Sequence, residues 1–212
     1  MKSYSIKYDD KKITYYNQSC KDWTYPYLYK GAGYETLSSS GCGIFSLCHA
    51  VEWMTGESPH PEGLADFSMR FGGRGDDGTD RPVLLQSAMD TGLAKRYGFS
   101  YRGDGLVNDN NALFDHLYQG CGTALCNLRG GHIVTLLKAR IYKGEKQFLV
   151  IDSVAESTNE HVREHVREIV DQSLIQHPIR NTTGLIVGVS YQYAMFYVTA
   201  DLPRDHSILF HL

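Results

Sequence analysis

The sequence predicts an α+β fold, with helices in the first half of the chain and an antiparallel sheet in the second. Three observations carry that prediction. Apolar residues recur at helical spacing in several stretches between residues 42 and 119. After Gly122 the pattern changes to short apolar or β-branched runs, and one of these doubles back on the next through a turn. Elements segregated in this way argue for α+β rather than alternating α/β. A chain of 212 residues is read as one domain, 1–212, with a helical lobe over about 17–120 and a sheet lobe over about 121–212.

Residues 4–7 and 13–16 read as short strands, and 17–41, rich in Tyr, Gly and Ser, as a loop ending in SSSGCG. Ile44, Leu47, Cys48, Val51 and Met54 then line one face of a helix that Gly56 stops. Pro61 opens a shorter helix through Leu64, Phe67 and Met69 that ends before Gly72. GGRGDDGTD (72–80) is a polar loop whose Asp76, Asp77 and Asp80 lack the spacing of a calcium loop. Thr79 or Asp80 caps a third helix, with Pro82 in its first turn and Leu84, Leu85, Ala88 and Met89 buried. A fourth helix over about 110–119 carries Leu113, Phe114, Leu117 and Tyr118, with Gly120 at its C-cap. TALCNL (123–128), HIVTLLKARI (132–141) and QFLVIDS (147–153) read as strands, the last two joined into a hairpin by YKGEK. Residues 157–172 return to helical spacing through Val162, Val166, Ile169 and Val170, and 185–200 hold one or two strands.

Composition narrows the function classes. Lys plus Arg number 21 against 24 Asp plus Glu, so the basic excess expected of a nucleic-acid partner is missing. No run reaches the length of apolar residues needed for a membrane-spanning helix. The start, MKSYSIKYDDKKITYY, has no apolar signal-peptide core. Cys20, Cys42, Cys48, Cys121 and Cys126 form no Cys-x-x-Cys pair, which argues for free thiols in a reducing, cytoplasmic setting and against a zinc site. Neither a metal nor another cofactor is expected. Tyr15, Tyr16, Tyr25, Tyr27, Tyr29 and Tyr34 crowd the N-terminal region and read as a surface layer or groove lining.

Three residues at element boundaries carry the candidate chemistry. Cys42 stands between Gly41 and Gly43 at the start of the strongest helix. Free N–H groups and the helix dipole favour a thiolate there, and the flanking glycines leave room for a substrate backbone. The Cys42 N–H is also placed to meet a developing oxyanion. His132 follows Gly130 and Gly131 at the start of a strand. Asp152 ends the partner strand after FLVI, and the hairpin brings the two ends together. An aspartate beside a histidine orients its imidazole, and the histidine can then deprotonate the cysteine and later protonate a leaving group.

On these residues the chain resembles the papain-like cysteine peptidases of the bacteriocin-processing C39-like type. ITYYNQSCKDWTYPYLYKGAGYETLSSSGCGIFSLCHAVEWMTG is similar to that family's N-terminal pattern, in which a Gln and then a Trp precede a Gly-Cys-Gly that opens the central helix. GHIVTL resembles its Gly-His strand, and FLVIDS the strand ending in the orienting Asp. The resemblance covers roughly 13–56 and 120–153. It implies a papain-like cysteine proteinase fold, with the nucleophile helix in an N-terminal helical lobe and the histidine on a C-terminal antiparallel sheet. It also implies Cys42 as nucleophile, His132 as base, Asp152 as orienting residue and Gln18 as the oxyanion-hole side chain. The implied partner is a peptide or protein substrate, cleaved through a thioester. An amidase, an acyltransferase or an inactive peptide-binding relative remains open on the same scaffold. The chain departs from the family pattern at Ile44, where Pro is usual, at Ser153, where many relatives have Pro, and at Thr36, the position of the Gln in classical members.

HVREH (161–165) matches an inverted zincin pattern, in which His161 and His165 would bind metal and Glu164 act as base. The alternating charges of STNEHVREHVREIVDQ fit a solvated amphipathic helix better. Cys48 reads as a core thiol, Cys126 as the interior of a strand, and His49 as a surface or packed histidine.

Overall fold

A computed structural model of the chain describes residues 1–154 and 163–211. The chain opens with a hairpin of β1 (Ser3–Tyr8) and β2 (Lys11–Tyr16). A folded-back loop then leads into the single turn α1 (Leu37–Ser40) and the central helix α2 (Cys42–Thr55). α3 (Pro61–Arg70), the two-residue strands β3 (Arg74–Gly75) and β4 (Gly78–Thr79), α4 (Arg81–Asp90) and α5 (Leu93–Tyr97) follow. Next come β5 (Ser100–Val107), α6 (Asn110–Tyr118), β6 (Ala124–Leu128), β7 (His132–Tyr142) and β8 (Glu145–Ile151). The described remainder holds β9 (Val166–Ile169), β10 (Leu174–Arg180), β11 (Ile186–Tyr193), β12 (Met195–Thr199) and β13 (Arg204–His211).

Seven strands form one antiparallel sheet in the order β5-β13-β6-β7-β8-β12-β9. Its two faces bury different sets of residues. On one, Ile133, Leu125, Ile208 and Phe210 pack with Ile44, Leu47 and Val51 of α2 and with Leu84 and Leu85 of α4. On the other, Val134, Leu136, Phe148 and Val150 meet Leu113, Phe114 and Leu117 of α6. The alternation of β7 explains the split, because successive side chains point to opposite faces. The β1–β2 hairpin closes a third cluster, in which Ile6, Ile13 and Tyr15 cover Leu149, Ile151 and Met195.

The helices anticipated at 42–56, 61–71, 80–92 and 110–119 are present. Asp80 caps α4, accepting from Val83 N at 3.2 Å. Met89, expected in the core, is 39% exposed. The lobe division near residue 120 does not follow the layers: β5 joins the sheet beside β13, and α6 lies on the face away from α2. The hairpin expected at YKGEK is present, with Lys143 and Gly144 at φ 51° and 82° in the turn. Both central residues of a tight type I′ hairpin turn need such angles.

Two readings are corrected. In place of a helix over 157–172, residues 166–169 are an edge strand paired with β12; 155–162 lie outside the described residues. Its exposed charges blunt the edge, with Glu168 bonded to Arg140 at 2.6 Å and Arg167 to Glu145 at 3.3 Å. The tyrosine layer is a surface only in part, with Tyr25 and Tyr29 half-buried. Tyr15, Tyr16 and Tyr27 are buried because their hydroxyls find partners: Tyr15 donates to Ser153 O at 3.0 Å, Tyr16 meets Ser58 Oγ at 2.6 Å, and Tyr27 lies 2.8 Å from both Ser68 Oγ and Thr79 Oγ1. Tyr34 is fully exposed.

Among the described residues no helix is long and apolar enough to cross a membrane.

Candidate active site

α2 is fastened to β7 by a reciprocal pair of bonds. Ser46 Oγ donates to Ile133 O at 2.9 Å, and Thr135 Oγ1 donates back to Ser46 O at 2.8 Å. These fix the helix start against the strand start. Cys42 is the first residue of α2 and half-buried, and as such its N–H has no intrahelical partner.

β7 places His132. Leu128 pairs with His132 across the β6–β7 loop, where Gly130 and Gly131 adopt φ 94° and 83°. β8 places Asp152. Thr135 pairs with Ile151, so Asp152 falls opposite Val134, one pleat from His132. Asp152 Oδ1 accepts from His132 Nε2 at 2.7 Å and from Val154 N at 2.9 Å. The carboxylate is fully buried, while the imidazole is 17% exposed. The same imidazole and the Cys42 sulfur act on each other, through hydrogen bonding and charge. Cys42, His132 and Asp152 therefore form one connected relay.

The electrostatics follow from that relay. Burial pushes the Cys42 thiol up, but the hydrogen bond and positive charge of His132, with backbone bonds from Ile133 and Gly43, outweigh it and hold it below the usual thiol range. Burial disfavours the His132 imidazolium; the charge and hydrogen bond of Asp152 and the bond to Cys42 override this and raise it to about 10. The other buried thiols go the opposite way. Burial pushes Cys48 well up and Cys126 up to about 11. All five cysteines are unbridged.

Gln18 is drawn in by the folded-back loop. Trp23 Nε1 donates to Asn17 O at 2.9 Å, and Leu37 N and Ser38 N bond to Tyr25 O and Trp23 O. Gln18 thereby bridges α1 and the residue after Asp152: its Nε2 donates to Ser38 O at 3.3 Å, and its Oε1 accepts from Ser153 Oγ at 2.9 Å. Its backbone N–H also donates to Ser153 O at 2.8 Å. One amide N–H is spent on Ser38 and the amide carries a second.

A cleft of about 410 Å³ opens beside Cys42, lined by Gly78, Thr79, Asn127, Gly131 and Ile133 among others. Its wall, the 74–80 loop, is pinned rather than loose. Arg74 Nε donates to Tyr27 O at 2.9 Å and its Nη1 to Gly78 O at 2.9 Å. The glycines flanking Cys42 serve this packing rather than substrate approach. A Cβ on Gly43 would stand 2.6 Å from Thr79 Cβ, and one on Gly41 would stand 2.4 Å from Leu37 O.

Sequence reasoning had no signal for Ser38 or Ser153, which hold Gln18; Thr79, read as a possible cap of α4, instead lines the cleft. His49 is fully buried beside the β2 tyrosines, which its position on α2 alone did not reveal. The HVREH reading fares differently: His161 lies outside the described residues, and His165 lies 4.0 Å from Asp201. Among the described residues no group of three or more His, Cys, Asp or Glu is arranged to hold a metal ion.

No protein-family model matches the chain, and neither a curated protein nor a solved structure does.

Proposed function

We propose that the chain is a cysteine hydrolase of the papain-like type that cleaves an amide bond in a peptide or protein substrate. The observation that carries this reading is the connected relay Cys42–His132–Asp152, with a depressed thiol, opening on a cleft. The resting pair is thiolate and imidazolium. The Cys42 sulfur attacks the carbonyl carbon, and the carbonyl electron pair moves onto oxygen. The Cys42 N–H and the second N–H of Gln18 are the donors assigned to that oxyanion. The intermediate collapses, the C–N bond breaks and His132 gives its proton to the leaving nitrogen, leaving a thioester on Cys42. His132, now neutral, takes a proton from water as water attacks the thioester, and the thiolate is expelled. Asp152 keeps the imidazole aimed throughout.

The test is cleavage of a peptide pool followed by mass spectrometry, with Cys42→Ala alongside. Cleavage by the parent chain that disappears in Cys42→Ala supports the reading. Cleavage that survives Cys42→Ala, or that a chelator abolishes, contradicts it.

A further inference from the structure

His49 lies seven residues after Cys42 on α2, two turns along and nearly on the same side of the helix. Ser46, between them, bonds to β7, so this side of α2 faces the sheet. The ring is fully buried, with Tyr15 and Tyr16 stacked on it at 5.8 Å each. Its Nε2 accepts from Tyr16 N–H at 3.1 Å. A neutral imidazole that accepts at Nε2 carries its proton on Nδ1. Burial supports the neutral form, pushing the ring down to about 3.

That Nδ1–H is a buried donor without a protein partner. Asp152 Oδ2 is a buried acceptor in the same condition, since His132 and Val154 both bond to Oδ1. Buried polar atoms are satisfied in native proteins, by ordered water where protein does not reach. The two residues are also tied together through their neighbours. Tyr15, stacked on His49, donates its hydroxyl to Ser153 O, next to Asp152. Two ionisable carboxylates stand near the ring, Asp152 from the sheet and Glu52 from the next turn of α2. Of these it is Asp152 whose charge acts on His49. Glu52 Oε1 is engaged by Thr14 Oγ1 at 2.9 Å, while its Oε2 is, like Asp152 Oδ2, a buried acceptor without a protein partner, which makes Glu52 the competitor to exclude.

We propose that His49 is a positioning residue for Asp152: its Nδ1–H holds Asp152 Oδ2 through one buried water molecule. The donor stabilises the carboxylate as an anion and stops it rotating away from His132. The inference rests on the reading of Asp152 as the orienting residue of a cysteine hydrolase, and its consequence is an acid limb set partly by His49.

The experiment is the pH dependence of Cys42 alkylation by iodoacetamide in the full chain, with His49→Phe, His49→Gln and Glu52→Gln. Phe keeps the stack on the tyrosines and removes the donor; Gln restores an N–H. The acid limb should move up by about one pH unit in His49→Phe, return at least halfway in His49→Gln and stay in place in Glu52→Gln. No shift in a folded His49→Phe overturns the proposal, as do equal shifts in Phe and Gln or the same shift in Glu52→Gln. Should His49→Phe fail to fold, long-range proton–nitrogen NMR of the unaltered chain decides. A neutral His49 with an exchange-protected proton on Nδ1 between about pH 5 and 8 is expected, and a proton on Nε2 or a charged ring overturns it. If Cys42 shows no acid limb at all, the hydrolase reading fails, while the tautomer still decides the role of His49.

Discussion

His132 and His165 each direct Nε2 at an aspartate, at 2.7 Å to Asp152 and at 4.0 Å to Asp201. The two imidazoles are nearly equally exposed, at 17% and 19%. The aspartates differ: Asp152 is fully buried, and Asp201 is 76% exposed. Without water to compete, the Asp152 charge acts at low effective dielectric and commands the protonation of His132. Asp201 sits after β12, where it accepts from Thr199 Oγ1 and is screened by solvent. A histidine–aspartate pair thus gains its chemistry from what encloses the carboxylate. The two pairs also differ in what lies beyond the ring. His132 continues to the sulfur of Cys42 at the edge of a cleft.

This comparison can be broken most easily at the relay itself. Cys42→Ala and His132→Ala are each expected to lower kcat/KM by about 10⁴-fold or more, because members of such a unit fail together. His165→Ala should stay within about twofold, as a pair whose carboxylate is exposed to solvent contributes little. Steady-state kinetics on all three variants, with circular dichroism to confirm folding, measures the contrast.

Asp152→Asn against Asp201→Asn sharpens it. Asn keeps an acceptor for His132 Nε2 but removes the charge that raises the ring to about 10. The active ion pair exists above the depressed Cys42 value and below the raised His132 value, so activity rises with pH through the first and falls through the second. Removing the Asp152 charge therefore moves the alkaline limb to lower pH, with a loss of about 10- to 100-fold in rate. Asp201→Asn should leave the pH–rate profile unchanged. Equal effects of the two substitutions would remove the distinction drawn here.

The smallest expected effect concerns the scaffold. Gly43→Ala puts a Cβ within 2.6 Å of Thr79 Cβ and 3.1 Å of Ile133 Cδ1, so the cleft wall must shift. Overpacking of this kind costs about 1–3 kcal/mol, read as a lower denaturant midpoint at unchanged slope. Gly63→Ala, on α3 with no neighbour within 4 Å of the added Cβ, is the matched control and should not destabilise.

Much of the site was legible because it depends on local rules. α2 announces itself by its apolar spacing and its stop at Gly56, which adopts φ 79°. The Lys143–Gly144 turn starts the β7–β8 register, but an irregularity between Leu136 and Lys138 that no sequence signal marks shifts it by one residue before it reaches His132 and Asp152. What stayed hidden depends on distant partners. β5 and β13 pair across about a hundred residues, and β5 contains two glycines that weaken any strand signal. Val166 and Ile169 fit a helical period, yet in a four-residue strand the pairing with β12 decides. The burial of Tyr15 and Tyr27 turns on hydroxyl partners at Ser153, Ser68 and Thr79 that composition does not reveal. Gly41 and Gly43 are present in the sequence as expected of a nucleophile turn, but their physical work is packing against Leu37 and Thr79.

Burial of Asp152, acting through His132, is expected to make Cys42 an activated thiolate. Limiting iodoacetamide at several pH values near neutrality, followed by intact mass and peptide mapping, tests it most directly. Cys42 should be modified first, ahead of the exposed Cys121 and the half-buried Cys20, and this preference should vanish in His132→Ala. Modification of Cys121 first, or a Cys42 rate unaffected by His132→Ala, would contradict it.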